Sequence, residues 1–174
     1  MALDAHKGYR ALRRGRYSES NAEYFLTFCT EQRQCGLEKP SLTQVLVEEL
    51  RQMEGEGVWL VRCFVIMPDH VHLVVKLGEF LSLGKAIARF KSKSAPLLRL
   101  EGMKWQAGYF DRHLRIHEDR RPYFLYIYLN PYRAGLLAEE ALWPGFGCGP
   151  EDFEWFMTCL CDGLPEPEWL AGLT

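Results

Sequence analysis

Apolar residues recur along this chain with two spacings, which separate strands from helices. Short stretches rich in aromatic and β-branched residues, bounded by turn residues, predict strands. Stretches in which apolar residues recur every three or four positions predict amphipathic helices. The predicted strands lie within residues 22–30, 58–67, 70–77 and 103–116, the last with room for one or two strands. The predicted helices lie within residues 40–57, 82–100 and 118–130.

The order of these elements is β-α-β-β-α-β-α, and its first six members match a ferredoxin-like split βαβ pattern. Pro68 and Asp69 separate two neighbouring strands and fit a tight hairpin turn. We therefore predict an α/β (α+β) fold with a central antiparallel sheet and helices on one of its faces. The last helix is expected to end near Asn130, because the following Pro131 disfavours helical geometry before it.

Charge is distributed unevenly along the 174 residues. Every Lys and Arg lies between Lys7 and Arg133, whereas eight acids and no base follow position 138. That leaves 15 acids against 21 bases in the first part, an excess that suits a polyanion such as nucleic acid. We expect three regions: a basic arm over residues 1–20, a folded domain over 21–138, and an acidic tail over 139–174.

The composition does not fit membrane-spanning or secreted proteins. The chain has no run of eighteen apolar residues, which is the length needed to cross a membrane. Residues 1–20 carry charges where a signal peptide has its apolar centre. The six cysteines have neither a CxxC pair nor the paired spacing of a structural zinc site. We expect a soluble, cytoplasmic protein.

The stretch VIMPDHVHLVV, residues 65–75, carries two histidines on a predicted strand. Because side chains alternate along a strand, His70 and His72 lie on one face, and Val71 and Leu73 on the other. Two neutral imidazoles on one face can bind a divalent metal together. From this pattern alone, an ordinary structural or surface pair is an equally open interpretation.

The last predicted helix carries a second candidate group. Tyr126 and Asn130 are four positions apart, so they lie one turn apart on the same helix face. An amide oxygen can complete a metal's ligands, and a tyrosine beside that metal is placed for covalent attack. By helical position Tyr123 is the runner-up, and core packing is the alternative for either tyrosine.

These residues lie in motifs that resemble those of the REP-associated tyrosine transposases, a branch of the HUH single-strand DNA transposases. The similar motifs are VIMPDHVHLVV, KSKSA, WQAGYFDRHLRI and YIYLNPYRAGLL, within a stretch from Tyr24 to Leu137. The resemblance implies a transposase-like endonuclease and strand transferase for single-stranded hairpin DNA, which acts through a covalent 5'-phosphotyrosine.

The resemblance also implies roles for individual residues and a cofactor. His70, His72 and Asn130 correspond to the metal ligands, and Tyr126 corresponds to the nucleophile on a C-terminal helix. The implied cofactor is Mg²⁺ or Mn²⁺, although imidazole ligands also hold zinc. The implied partner is single-stranded DNA with REP-like hairpins, bound by a nucleoid-associated monomer or homodimer.

Basic residues in three places are candidates for contacts with DNA phosphates. They lie in the N-terminal arm, on the second predicted helix and near the last strand: Arg10, Arg13, Arg14, Arg16, Lys85, Arg89, Lys91, Lys93, Arg112 and Arg115. A solvated charged face is the alternative interpretation of each group.

Two other functions stay open at this level. A domesticated module would bind hairpin DNA without cutting it, and a metal- or RNA-binding protein could share the fold without any DNA chemistry. The acidic tail either docks as an apolar strap or stays loose. Alternatively, it lies over the basic surface and restrains cutting.

Overall fold

The computed structural model of the protein describes residues 18–138 and 140–166, and its centre is an antiparallel sheet. The strands are β1 (Glu23–Cys29), β2 (Trp59–Ile66), β3 (His70–Leu77), β4 (Phe110–Leu114) and β5 (Phe146–Cys148). Their order across the sheet is β4-β1-β3-β2-β5, and every pairing is antiparallel. The predicted α/β fold with a central antiparallel sheet is confirmed.

Two helices cover one face of the sheet, as predicted. They are α1 (Pro40–Gly55) and α2 (Leu83–Leu100), and their buried leucines and Phe90 pack on Val71, Leu73 and Val75 of β3. Alternation along the strand sends these three side chains to one face. This layer forms the larger of the two apolar clusters.

The opposite face carries a second layer that the sequence prediction did not include. It consists of α3 (Arg121–Arg133) and α4 (Pro150–Met157), with Phe124, Ile127 and Phe156 buried against the sheet. The expectation of helices on one face, made for the first six elements, is thus confirmed for α1 and α2, and it did not place α3. The sheet is covered on both sides, and the layer formed by α3 positions the candidate site.

Helix α3 also runs past its predicted end. It continues through Pro131 to Arg133, and Gly135, with a φ of 64°, follows. A proline in the last turn removes one backbone donor, and Pro131 is buried. A left-handed glycine directly after the helix is a common way to end one.

Part of the acidic tail belongs to this sheet and core. Strand β5 pairs with β2, and Phe156 of α4 contacts the rings of Phe124 and Tyr128 on α3. The Tyr128 hydroxyl donates to the Gly163 carbonyl oxygen at 2.8 Å. The division at residue 138 stays a prediction, but the following segment packs as an outer support of α3.

Among the described residues, no helix combines the length and the apolar character needed to cross a membrane.

Candidate functional site

The two histidines lie on the face of the sheet covered by α3. On β3 the side chains of Val71 and Leu73 enter the core beneath α1 and α2, so His70 and His72 take the other face. Their ring centroids are 4.6 Å apart, with the ring planes at 79°. The prediction that the strand sets two imidazoles side by side holds in the structure.

His72 is almost fully buried, with 5% of its surface exposed. Thr27 lies directly opposite on β1, and its Oγ1 is 2.7 Å from His72 Nδ1. Phe25 stacks on the imidazole with ring centroids 5.6 Å apart. Burial, with smaller contributions from the positive charges of His70 and Arg33, lowers the pKa of His72 to about 3. The imidazole is therefore neutral, which is the form that binds metals.

His70 is oriented by a carboxylate. Its Nδ1 lies 2.6 Å from Asp69 Oδ1, and Arg33 pairs with the other oxygen of Asp69 at 3.2 Å. When Nδ1–H donates to that carboxylate, the lone pair of Nε2 is available to a ligand. Both histidines thus have Nδ1 engaged by a protein oxygen.

Tyr126 completes a group of three rings. Its ring lies 5.1 Å from that of His72 and 5.9 Å from that of Phe25, edge-on to both. Unlike the core residues of α3, its side chain is 41% exposed. Tyr126 therefore lies beside the histidine pair with access to solvent.

Asn130 and Arg133 follow Tyr126 along the same face of α3, at four and seven positions. The Arg133 guanidinium lies 5.5 Å from the centre of the Tyr126 ring. Tyr123 and Tyr126 both contact Phe25, whereas only Tyr126 contacts His72. The helix thus advances along the sheet from Phe25 toward the histidines, and Asn130 lies one turn farther on.

Tyr123, the runner-up, has a different environment. Its hydroxyl donates to Glu118 Oε1 at 2.5 Å, and Arg112 lies over its ring at 5.4 Å. Burial and the hydrogen bond to Glu118 raise the pKa of Tyr123. A phenol that is held by a carboxylate and harder to deprotonate is the poorer nucleophile.

The donors at this site fit a divalent metal. Two imidazoles on one strand, each held at Nδ1 by an oxygen, are the arrangement that protein metal sites use to direct Nε2 at a cation. Within residues 18–138 and 140–166, no three His, Cys, Asp or Glu side chains form a group that could hold a metal. Asn130, on the facing helix, is the candidate for a third protein ligand.

The predicted DNA-contacting residues are dispersed. Arg10, Arg13, Arg14 and Arg16 lie outside the described residues. Helix α2, with exposed Lys85 and Lys93, lies on the face of the sheet opposite the histidines. Arg89 of that helix pairs with Glu56.

The ammonium group of Lys91 is bound by backbone carbonyl groups of the protein itself. Its Nζ donates to the carbonyl oxygens of Gln106 and Gly108 at 3.0 and 2.5 Å, and burial lowers its pKa to about 8. Exposed Arg99 and Lys104 lie with Lys91 and Trp105 around one groove, and these two cations were not among the predicted contacts.

The two basic residues predicted near the last strand have different surroundings. Arg112 is exposed, pairs with Glu118 at 2.8 Å and lies over the ring of Tyr123. It is therefore on the face of the sheet that carries the histidines. Arg115 is exposed just beyond β4.

The sequence analysis did not assign four residues that the structure places around the candidate site. Arg133 had a usable signal, since it lies seven positions after Tyr126 and hence on the same helix face. Asp69 precedes His70 directly but fits a turn equally well. Thr27 and Arg33 are distant in sequence from the histidines, and only the pairing of β1 with β3 brings them there.

Known proteins resemble this chain in sequence and in fold. A family model described as "Transposase IS200 like" matches residues 18–114, which include both histidines and end before α3. A REP-associated tyrosine transposase of Escherichia coli (strain K12) is 23% identical over 135 residues, or 75% of this chain and 74% of that protein. A solved REP-associated tyrosine transposase, bound to a REP hairpin, has a TM-score of 0.64 and 22% identity over 75% of this chain and 79% of that chain.

Proposed function

Because the chain belongs to the IS200-like transposase family, we propose that it is a metal-dependent endonuclease and strand transferase for single-stranded DNA that carries hairpins. The resemblance to REP-associated tyrosine transposases is confirmed by the family match and by the two relatives. The observation that carries the proposal is the packing of the half-exposed Tyr126 ring against His72, beside His70.

The proposed nucleophile is the Tyr126 hydroxyl. Its oxygen attacks the phosphorus of a phosphodiester, a new Tyr–O–P bond forms, and the bond from phosphorus to the 3' oxygen breaks. The proton that leaves the phenol balances the proton that the 3' oxygen gains. The products are a 5'-phosphotyrosine and a free 3'-hydroxyl, and attack by another 3'-hydroxyl reverses the step and joins two strands.

The other residues of the site would hold the metal and orient its ligands. His70, His72 and Asn130 would hold Mg²⁺ or Mn²⁺, which when bound neutralises negative charge on the phosphate. Thr27 and Asp69 fix the two imidazole rings, and Phe25 excludes water from the buried side of His72. Arg133, 5.5 Å from the centre of the Tyr126 ring, supplies positive charge beside the proposed nucleophile's side chain.

The proposed substrate follows from the relative that is bound to a REP hairpin. Hairpin DNA with unpaired flanks offers a paired stem for binding and a single strand for cutting. Location in the cytoplasm, association with the nucleoid, and a monomeric or homodimeric state stay predictions.

The test of this function is a covalent-adduct assay. The protein is incubated with labelled hairpin DNA from its own genomic neighbourhood, with Mn²⁺ or with EDTA, and is then denatured. We expect a denaturation-resistant protein–DNA adduct with Mn²⁺ and none with EDTA. Tight binding of the same DNA without an adduct would instead favour the module that binds hairpins without cutting them. An adduct that forms equally in EDTA would refute the metal dependence.

A second prediction concerns the hydrogen bond between Thr27 and His72. Thr27→Val keeps the branched shape but removes the oxygen that fixes the imidazole, so we expect Mn²⁺ affinity to fall by about 10- to 100-fold. Mn²⁺ electron paramagnetic resonance measures free and bound metal directly. Thr158→Val is the matched control, since it loses a comparable hydrogen bond to the Trp155 carbonyl at the end of α4. Equal affinities in the two variants would count against the ligand role of His72.

A further inference from the structure

The turn after β1 is attached to the turn that precedes His70. Thr30 is fully buried, and its backbone N–H donates to the Asp69 carbonyl at 2.9 Å. Its hydroxyl oxygen lies 2.7 Å from the Gln34 carbonyl and 3.1 Å from that of Asp69. The N–H groups of Gly36 and Leu37 both donate to the Pro68 carbonyl at 2.9 Å. Residues 30–37 thus have a defined position beside the histidines.

Two consecutive residues in this turn adopt an unfavourable backbone conformation. Gln32 and Arg33 have φ values of 53° and 57°, in the left-handed region that side-chain-bearing residues rarely occupy. Such conformations cost free energy and are kept where the surrounding structure determines them, often at functional sites. Their result here is to direct Arg33 at Asp69.

Arg33 contacts the site through Asp69, and this contact does not occupy its whole guanidinium group. Its Nη1 pairs with Asp69 Oδ2 at 3.2 Å, and the other oxygen of Asp69 holds His70. The side chain is nevertheless 59% exposed. A guanidinium has five N–H donors in a planar fork, so one carboxylate contact leaves donors for a second anion.

The positive charge of Arg33 is held close to the histidine pair. Its ion pair with Asp69 places the guanidinium next to the carboxylate that holds His70. A phosphate at the Nε2 side of the imidazoles would therefore lie within the field of a fixed cation. Arginine binds phosphate through paired hydrogen bonds, which fits a strand whose position must be fixed before attack.

We propose that Arg33 is a phosphate-binding residue, which holds the backbone of the single DNA strand next to the histidine pair while Asp69 positions both Arg33 and His70. The inference rests on the proposed function for the identity of the anion. It adds a residue to that site from a segment about 40 positions away in sequence.

DNA binding tests the inference without cutting. A short, fluorescein-labelled DNA hairpin with single-stranded flanks is titrated with full-length protein in EDTA over a series of salt concentrations. We expect Arg33→Gln to weaken binding about tenfold at low salt. The plot of log K against log salt should become shallower by about 0.7, the value for one lost single-strand phosphate contact. Arg33→Lys should recover most of the slope, because the charge is kept.

Two controls separate this role from others. Arg51→Gln makes the same change on the exposed face of α1, on the far side of the sheet, and should leave the slope unchanged. Asp69→Asn removes the partner but leaves the Arg33 charge, so it should not make the slope shallower. If Arg33→Gln keeps the wild-type slope, Arg33 only supports Asp69 and the proposal is wrong.

The result is independent of cleavage. A wild-type protein that binds the hairpin but forms no adduct would refute the proposed cutting, while the Arg33→Gln slope would still decide the phosphate contact. A wild-type protein that forms the adduct, with an unchanged Arg33→Gln slope, would refute the contact alone. A wild-type protein that does not bind the hairpin would overturn both.

Discussion

Tyr126→Phe is expected to abolish the covalent protein–DNA adduct, with a loss of rate on the order of 10⁴-fold or more. The proposed bond to phosphorus is made by the phenol oxygen, and phenylalanine has no atom in its place. The ring contacts with Phe25 and His72 do not use the hydroxyl, so the variant should fold and bind hairpin DNA normally. Denaturing electrophoresis of labelled DNA in Mn²⁺ measures the adduct.

Tyr123→Phe is the matched control, one turn earlier on the same helix. It removes a hydroxyl that donates to Glu118, on a ring that contacts Phe25. We expect its adduct yield to stay within a few-fold of the wild type, since Tyr123 lacks the contact with His72. An adduct that survives in Tyr126→Phe and disappears in Tyr123→Phe would reverse the assignment.

The structure adds a difference between the two tyrosines that helical spacing does not contain. Spacing places Tyr123 and Tyr126 on neighbouring parts of one face, so the sequence preferred Tyr126 through the resemblance of its motif and kept Tyr123 as the runner-up. The difference comes from partners on other segments: Glu118 in the loop before α3, and His72 on β3. Such contacts depend on how the helix lies across the sheet.

The histidine pair itself could be predicted, because strand alternation is a local property. His70 and His72 needed only a correct strand assignment to be placed on one face. The groups that orient them could not be found this way. Thr27 reaches His72 through the register of β1 against β3, and Arg33 reaches Asp69 through two left-handed residues that no glycine or proline marks.

The same reasoning applies to the basic helix. Its amphipathic pattern predicts α2, and its exposed lysines follow from that pattern. The face of the sheet on which a helix packs is set by its connections, however, and α2 lies opposite the histidines. If Lys85 and Lys93 bind DNA, the strand must extend around the sheet to reach them.

The acidic tail contains a packed segment, β5 and α4, which its composition did not predict. Asp152 is buried and pairs with Arg62 at 3.2 Å and with Arg120 at 3.3 Å, directly before α3. Arg120 also pairs with Glu23 of β1. Asp152, at the start of α4, is thus held by arginines of β2 and of the residue before α3. That the tail restrains cutting stays a prediction.

Phe156→Ala is expected to lower the free energy of unfolding by about 3 kcal/mol, near the lower end of the range for a buried aromatic residue. Phe156 is fully buried and contacts the rings of Phe124, Tyr128 and Phe146. Because α4 is a short helix of 8 residues, it can detach, which limits the cost to that of undocking. Urea denaturation followed by circular dichroism measures the change.

Phe153→Ala provides the comparison on the same helix, since that side chain is 45% exposed and its removal should cost less than about 1 kcal/mol. If both variants unfold like the wild type, α4 does not support α3 in solution. If Phe156→Ala alone is destabilised, the packing of α4 holds the helix that carries Tyr126. Deletion of residues 150–174 should then weaken the fold, so any gain in DNA binding by the truncated protein must be measured at a temperature where it is still folded.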